Sequence, residues 1–184
     1  MTMKNNKYIP INNTRISISE LMLPSHANFS GKIHGGYILN LMDQIAFACA
    51  SKHSATYCVT ASVDTVDFLN PIEVGELVTM KASVNYVGRT SMVVGIRVEA
   101  QNIQTGKVKH CNSSYFTMVA RDESGKGVAV PGLLLQTPVE MRRFLKAAKR
   151  LEMKKTRQDE FDSDDFNPTD YLQELTKHNV KIAL

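Results

Sequence analysis

No apolar run in these 184 residues approaches the roughly 18 that a membrane-crossing helix needs, so no helical span is expected. The opening stretch, MTMKNNKYIPINN, is polar and lacks the apolar core of a secretory signal, which predicts retention in the cytoplasm. Cysteine is scarce. Cys49, Cys58 and Cys111 are widely separated and show no metal-ligand spacing, so they read as small buried hydrophobes. His26, His34 and His53 also lack a partner pattern, and no metal is expected. No internal repeat appears. The net charge is a mild +4. Much of the positive charge falls between Arg142 and Arg157, and the acidic run Asp159, Glu160, Asp162, Asp164 and Asp165 follows at once. The two blocks offset each other, so no nucleic-acid partner is expected; a solvated helix leading into a disordered acidic linker is.

The length suits one well-buried domain with a tail. Within it, His34 to Ala50 carries a single formally charged side chain, Asp43. Ile38, Leu41, Met42, Ile45, Ala46 and Cys49 follow the i, i+3, i+4, i+7 spacing of a helix, and Tyr37, Leu39, Phe47 and Ala48 make its other faces apolar. That pattern predicts a helix wrapped on nearly all sides. A carboxylate there loses solvation, so it is paired, protonated, or held at a cleft for acid-base work. Gly35-Gly36 stands where the helix begins, and its first N–H groups lack intrahelical partners, so the backbone near Gly36 can polarise a carbonyl.

Strand signals surround this helix. Arg15 to Ser19 alternates before it, and Val59 to Leu69 is rich in Val and Thr after it. Val78, Met80, Ala82, Val84 and Tyr86 alternate with polar residues, Gly88-Arg89 marks a reversal, and Met92, Val94, Ile96, Val98 and Ala100 alternate again. A turn near Thr105-Gly106 leads to a last strand from Val108 to Ala120. The expected order is strand, helix, then four strands as a meander, giving an α+β fold: an antiparallel sheet wrapped around one long central helix. One helix covers one sheet face, so the free sheet edge and helix surface favour a second copy of the chain.

Seven motifs occur together: His26-Ala-Asn-Phe-Ser-Gly31, His34-Gly-Gly36, Leu41-Met-Asp43, Val59-Thr-Ala-Ser-Val-Asp64, Phe68 to Gly75 with Pro71-Ile72, Gly88-Arg-Thr-Ser91 and Tyr115-Phe-Thr-Met-Val119. In order and spacing, over about residues 15 to 155, the chain resembles the acyl-CoA hydrolases of the hotdog-fold thioesterases. The resemblance implies an arm at 1–13, a hotdog domain at 14–130, a C-terminal helical extension at 131–157, and an acidic linker and tail at 158–184. It implies hydrolysis of acyl-CoA to a carboxylic acid and CoA, a role in lipid metabolism, and no cofactor beyond the CoA of the substrate. It also implies a homo-oligomer, a dimer at least, with a trimer of dimers as the larger form.

The family's catalytic pair maps to Asn28, in the loop before the helix, and Asp43, on the helix of the neighbouring subunit. Asp43 would act as base or nucleophile, Asn28 would orient water or the carbonyl, and the N–H near Gly36 would meet the oxyanion. Gly88, Arg89, Thr90 and Ser91 resemble the turn that contacts the nucleotide of CoA, where a guanidinium fork and two hydroxyls suit phosphate. Two other readings stand beside hydrolysis. A non-catalytic acyl-CoA or nucleotide sensor would need the Asn28–Asp43 pair degraded, and both residues are present. A hotdog hydratase or dehydratase would need a histidine shortly after an aspartate, and Asp67-Phe-Leu-Asn-Pro71 is followed by Ile72-Glu73 instead.

Overall fold

A computed structural model describes residues 8–163, 172–175 and 177–181. Residues 1–7 of the expected arm and 164–171, 176 and 182–184 of the expected tail lie outside the described residues. The chain forms two units, one ending at Ala147 and the other beginning at Ala148.

The first unit is built on a five-stranded antiparallel sheet and one helix, α1 (Gly35–Ser54). In chain order the strands are β1 (Tyr8–Pro10), β2 (Ile16–Leu21), β3 (Tyr57–Val63), β4 (Glu76–Val87), β5 (Ser91–Asn102), β6 (Val108–Arg121) and β7 (Gly132–Leu134). The sheet order is β2-β4-β5-β6-β3, and α1 touches all five strands. The alternating residues of β4 and β5 do face α1: Val78, Met80, Ala82, Val84, Met92, Val94, Ile96, Val98 and Ala100 are all buried. Phe116, Met118 and Ala120 continue that layer from β6. Burying each large side chain of this kind contributes about 1.5–3 kcal/mol.

Three expectations need correction. Only β4, β5 and β6 form a meander; β3 crosses to the far edge and pairs with β6, with Thr60 opposite Met118. It also ends at Val63, short of the expected Leu69. Tyr86 leaves the helix-facing row, because a register shift between Val84 and Tyr86 places it opposite Val93, and its ring packs on Phe144 at 5.2 Å. The described part of the expected arm, residues 8–13, packs on the rest of the unit: β1 pairs in parallel with β7, and Ile11 is buried.

The C-terminal helix α2 runs from Pro138 to Ser163, with Pro138 at its first position. The Thr137 hydroxyl accepts from the Glu140 N–H, while Glu140 Oε2 accepts from the Gln136 and Thr137 N–H groups, a reciprocal cap. Arg15 Nη2 lies 3.0 Å from Glu140 Oε1, so the fully covered carboxylate has a counter-charge. In the second unit α2 passes beyond the expected limit at residue 157 and takes in the start of the acidic run, so that stretch is helix and not linker. Lys149 and Glu152 pair along it at 2.8 Å, and Leu172–Leu175 adds a single turn.

At the end of α1, His53 is fully buried. Its Nε2 lies 2.9 Å from the Pro131 carbonyl, which can only accept, so the ring is the Nε2–H tautomer and the Nδ1 lone pair has no partner. Burial outweighs the Pro131 bond and holds the imidazole below its ordinary value of 6.5. The unfolded chain therefore binds the proton more readily, and stability falls as pH drops below about 6.5. Thermal unfolding between pH 7.5 and 5.5 should show this loss. A His53→Gln protein should show a shallower pH dependence, and an identical slope would remove His53 as its source.

Candidate active site

Asp43 lies on α1 two turns past Gly36, and the seven-residue spacing puts both on one face about 10 Å apart. This face is open. Gly36, Asn40, Asp43, Gln44 and Phe47 are exposed, so a single chain does not wrap the helix on this side. The apolar positions on that side are small or half-covered, so the periodicity alone cannot separate cover by this chain from cover by another. The facing strand, β3, is a sheet edge, and its Tyr57 and Val63 are exposed as well.

Between helix and edge strand, the Thr60 hydroxyl donates to Asp43 Oδ1 at 2.5 Å and sits 3.4 Å from Met118 Sδ. One carboxylate oxygen is thereby fixed, and the other is left for a further proton donor. Thr60 is the residue that sequence reasoning passed over. Its signal was a polar side chain on the helix-facing row of a strand, two residues after the buried Cys58.

The loop before α1 fixes Asn28. Its Oδ1 accepts from the Ser30 N–H at 3.0 Å, the Ser30 hydroxyl at 2.7 Å and the Lys32 N–H at 3.2 Å. Its backbone N–H donates to the Lys32 carbonyl, and Gly31 completes the reversal at φ +77°. With the oxygen saturated by its own loop, the carboxamide faces outward as a donor through Nδ2. Phe29, next to it, is fully exposed at the tip.

His34 caps α1. The His34 N–H donates to the His26 carbonyl, and His34 Nδ1 accepts the Gly36 N–H at 3.0 Å. The Gly36 N–H expected to meet an oxyanion is thus occupied by the histidine. Beside it, His26 stacks on Tyr37 with ring centres 4.0 Å apart, and the Tyr37 hydroxyl donates to Glu20.

The Gly88–Ser91 turn closes β4 to β5, with the Gly88 N–H donating to the Ser91 carbonyl at 2.8 Å. The Arg89 and Thr90 carbonyls accept from Val130 and Ala120, so the turn is anchored while the Arg89 side chain is exposed. Thr60 pairs with Met118 and Met118 with Met92, so Arg89 is two strands across and three residues along from Thr60, about 14 Å away.

Asn28 belongs to the other end of β4. Lys32 pairs with Glu73 at 2.7 Å, and the Ile33 N–H donates to Ile72. Twelve residues of β4 lie between that end and the Gly88 turn, roughly 40 Å of extended strand. The fold therefore brings Asp43 and Thr60 together in one chain, sets Gly36 about 10 Å and Arg89 about 14 Å from them, and anchors Asn28 in the loop before α1, at the other end of β4 from Arg89. Among the described residues no cluster of His, Cys, Asp or Glu could hold a metal, and no helix is long and apolar enough to cross a membrane. Cys49 lies at the base of α1, and burial pushes its thiol up to about 12, which suits a packing role and not a nucleophile.

A curled antiparallel sheet around one long helix is the hotdog arrangement. A family model described as the thioesterase superfamily matches residues 30–107. The VdlD protein of Helicobacter pylori is 48% identical over 141 residues, 77% of this chain and 80% of that one. YkhA of Bacillus subtilis, named an uncharacterized acyl-CoA thioester hydrolase, is 34% identical over 74% of this chain and 79% of its own. Among solved structures, an apo-hexameric acyl-CoA thioesterase superposes with a TM-score of 0.80 at 40% identity, covering 82% of this chain and 97% of that one. The acyl-CoA hydrolase of Staphylococcus aureus, in complex with butyryl coenzyme A, coenzyme A and coenzyme A disulfide, gives 0.78 at 31% identity, over 90% and 99%. The chain belongs to the thioesterase superfamily, in the family of the acyl-CoA thioester hydrolases.

Proposed function

We propose that the chain hydrolyses acyl-CoA to a free carboxylic acid and CoA at a site shared between two copies, with Asp43 as general base. The observation that carries this reading is the Asp43–Thr60 pair on the open face of α1. A carboxylate with one oxygen tied to a hydroxyl has its second oxygen free to take a proton from water. The resulting hydroxide adds to the thioester carbonyl carbon. The oxyanion so formed is met by the Asn28 carboxamide Nδ2 of the other copy, the C–S bond breaks, and the CoA thiolate recovers the proton from Asp43.

Sharing is supported by the separate anchoring of Asn28, in the loop before α1, and Asp43, in the middle of α1, and by the exposure of the helix face, the β3 edge and Phe29. Solved structures of the Staphylococcus aureus hydrolase include alanine variants of its Asn28, Asp43 and Thr60, in that enzyme's own numbering, which supports a joint role for these three residue types. The Gly36 N–H joins the oxyanion site only when the His34 ring turns away from it. We assign the turn of Gly88, Arg89, Thr90 and Ser91 to the CoA phosphates, across a span that an extended pantetheine arm can bridge. The enzyme needs no cofactor beyond its substrate, works in the cytoplasm on lipid-derived thioesters, and assembles as a homo-oligomer of dimers.

Release of CoA thiol from a panel of acyl-CoA chain lengths tests the reading. Turnover of at least one chain length is expected; binding without turnover across the panel would make the chain a sensor. Arg89→Ala should raise KM for acyl-CoA several-fold more than KM for an acyl-pantetheine, which has no nucleotide phosphates to lose. Equal changes with both substrates would assign the turn a folding role instead.

A further inference from the structure

The face of the sheet turned away from α1 carries a second concavity, of about 560 Å³, roofed in part by the first turns of α2. It lies on the opposite side of the sheet from Asp43 and Thr60, and hydrolysis as described makes no use of it. Its floor is unusual for an outer sheet face. Asn85 and Ser83 are 5% and 7% exposed, and the Ser83 hydroxyl donates to Asn85 Oδ1 at 2.9 Å. The carboxamide nitrogen of Asn85 then has no acceptor among the described residues. It lies over Gly95, where a Cβ would come within 2.1 Å of it, so the glycine makes the room the amide occupies.

The walls are cationic: Arg15, Lys81, Arg97 and Arg143 all line the concavity. Two carboxylates answer them. Glu99 is shared between Lys81 at 2.6 Å and Arg97 at 2.7 Å, and Glu140 takes Arg15. Arg143 has no carboxylate partner among the described residues, and one of the two cations on Glu99 is in excess. An amide donor on the floor of the concavity, beneath an excess of guanidinium and ammonium groups, suits an anion. Size and shape narrow the class. The volume falls within the range of small-molecule sites, whereas nucleic acid needs an extended basic track. Planar guanidinium forks on more than one wall suit the several oxygens of linked phosphates better than a single carboxylate.

We propose that this concavity is a binding site for a small polyphosphate-bearing anion, seated on the Asn85 amide and clamped by Arg97 and Arg143, separate from the acyl-CoA site. Binding is read directly, without turnover, so the outcome is independent of the hydrolysis assigned above. Inorganic tripolyphosphate is titrated calorimetrically into the full chain with saturating CoA present, so that the Arg89 turn is occupied. Saturable binding is expected. Arg143→Glu should weaken it at least about tenfold by reversing one wall charge, and Asn85→Asp should abolish it by placing a carboxylate on the floor. Arg143 is exposed on a helix, so its variant decides the matter even where Asn85→Asp fails to fold. No saturable heat with folded wild-type protein, loss of binding when CoA is added, or unchanged affinity in Arg143→Glu would each overturn the proposal.

Discussion

Replacing Asp43 by Asn should lower kcat for acyl-CoA hydrolysis at least about 100-fold while leaving the fold intact, the lower end of what loss of a positioned general base costs. The amide keeps the size of the carboxylate, and its oxygen can still accept from the Thr60 hydroxyl. What it cannot do is take a proton from water. Because Asp43 is exposed in the single chain, the substitution removes no buried charge pair, and Tm should stay within about a degree or two of wild type, the usual range for surface changes. Stopped-flow or thiol-trapping assays of CoA release check the rate, and thermal unfolding checks the fold. Thr60→Val serves as the companion: it keeps the strand shape but removes the donor that holds Asp43 Oδ1, so it should lower kcat by less than Asp43→Asn. Full CoA release by a folded Asp43→Asn protein would end the assignment of this residue as base.

The second large effect is a recovery. Asn28→Ala and Asp43→Asn proteins should each be nearly inactive alone, and mixing them under conditions of subunit exchange should restore up to about a quarter of wild-type activity. A random mixture gives half mixed dimers, and each mixed dimer has one site with both residues intact and one with neither. The expectation rests on the positions of the two residues. Asn28 is pinned by Ser30 and Lys32 at the Glu73 end of the sheet, and Asp43 is fixed by Thr60 two helical turns from Gly36. Exchange is verified with differently tagged copies. If exchange is complete and activity stays at the level of the parents, each site is made by a single chain.

Much of this was legible before any coordinates. The helix at Gly35–Ser54 was marked by its apolar periodicity and by the glycines at its start, and β4 and β5 by strict alternation, because a sheet with one covered face must place its apolar residues two apart. Asp43 stood out as the one carboxylate in the helix. Asn28 and the Gly88–Ser91 turn depended on the likeness to a family, since an asparagine in a loop and a basic hairpin turn are common for purely local reasons.

What the sequence by itself determined, then, was the class of fold and the carboxylate to watch, because both are written in periodicities of two to seven residues. The tertiary structure decided what depends on neighbours far along the chain. It moved β3 to the far edge beside β6, which alone brings Thr60 under Asp43. It turned Asn28 into a donor by filling its oxygen from Ser30 and Lys32, and it closed the Gly36 N–H with His34. It also gathered Arg15, from just before β2, Lys81 and Arg97, from β4 and β5, and Arg143, from α2, around the Asn85 amide. Hydrogen-bond saturation and the meeting of distant strands are properties of packed atoms in three dimensions, and no spacing along the chain encodes them.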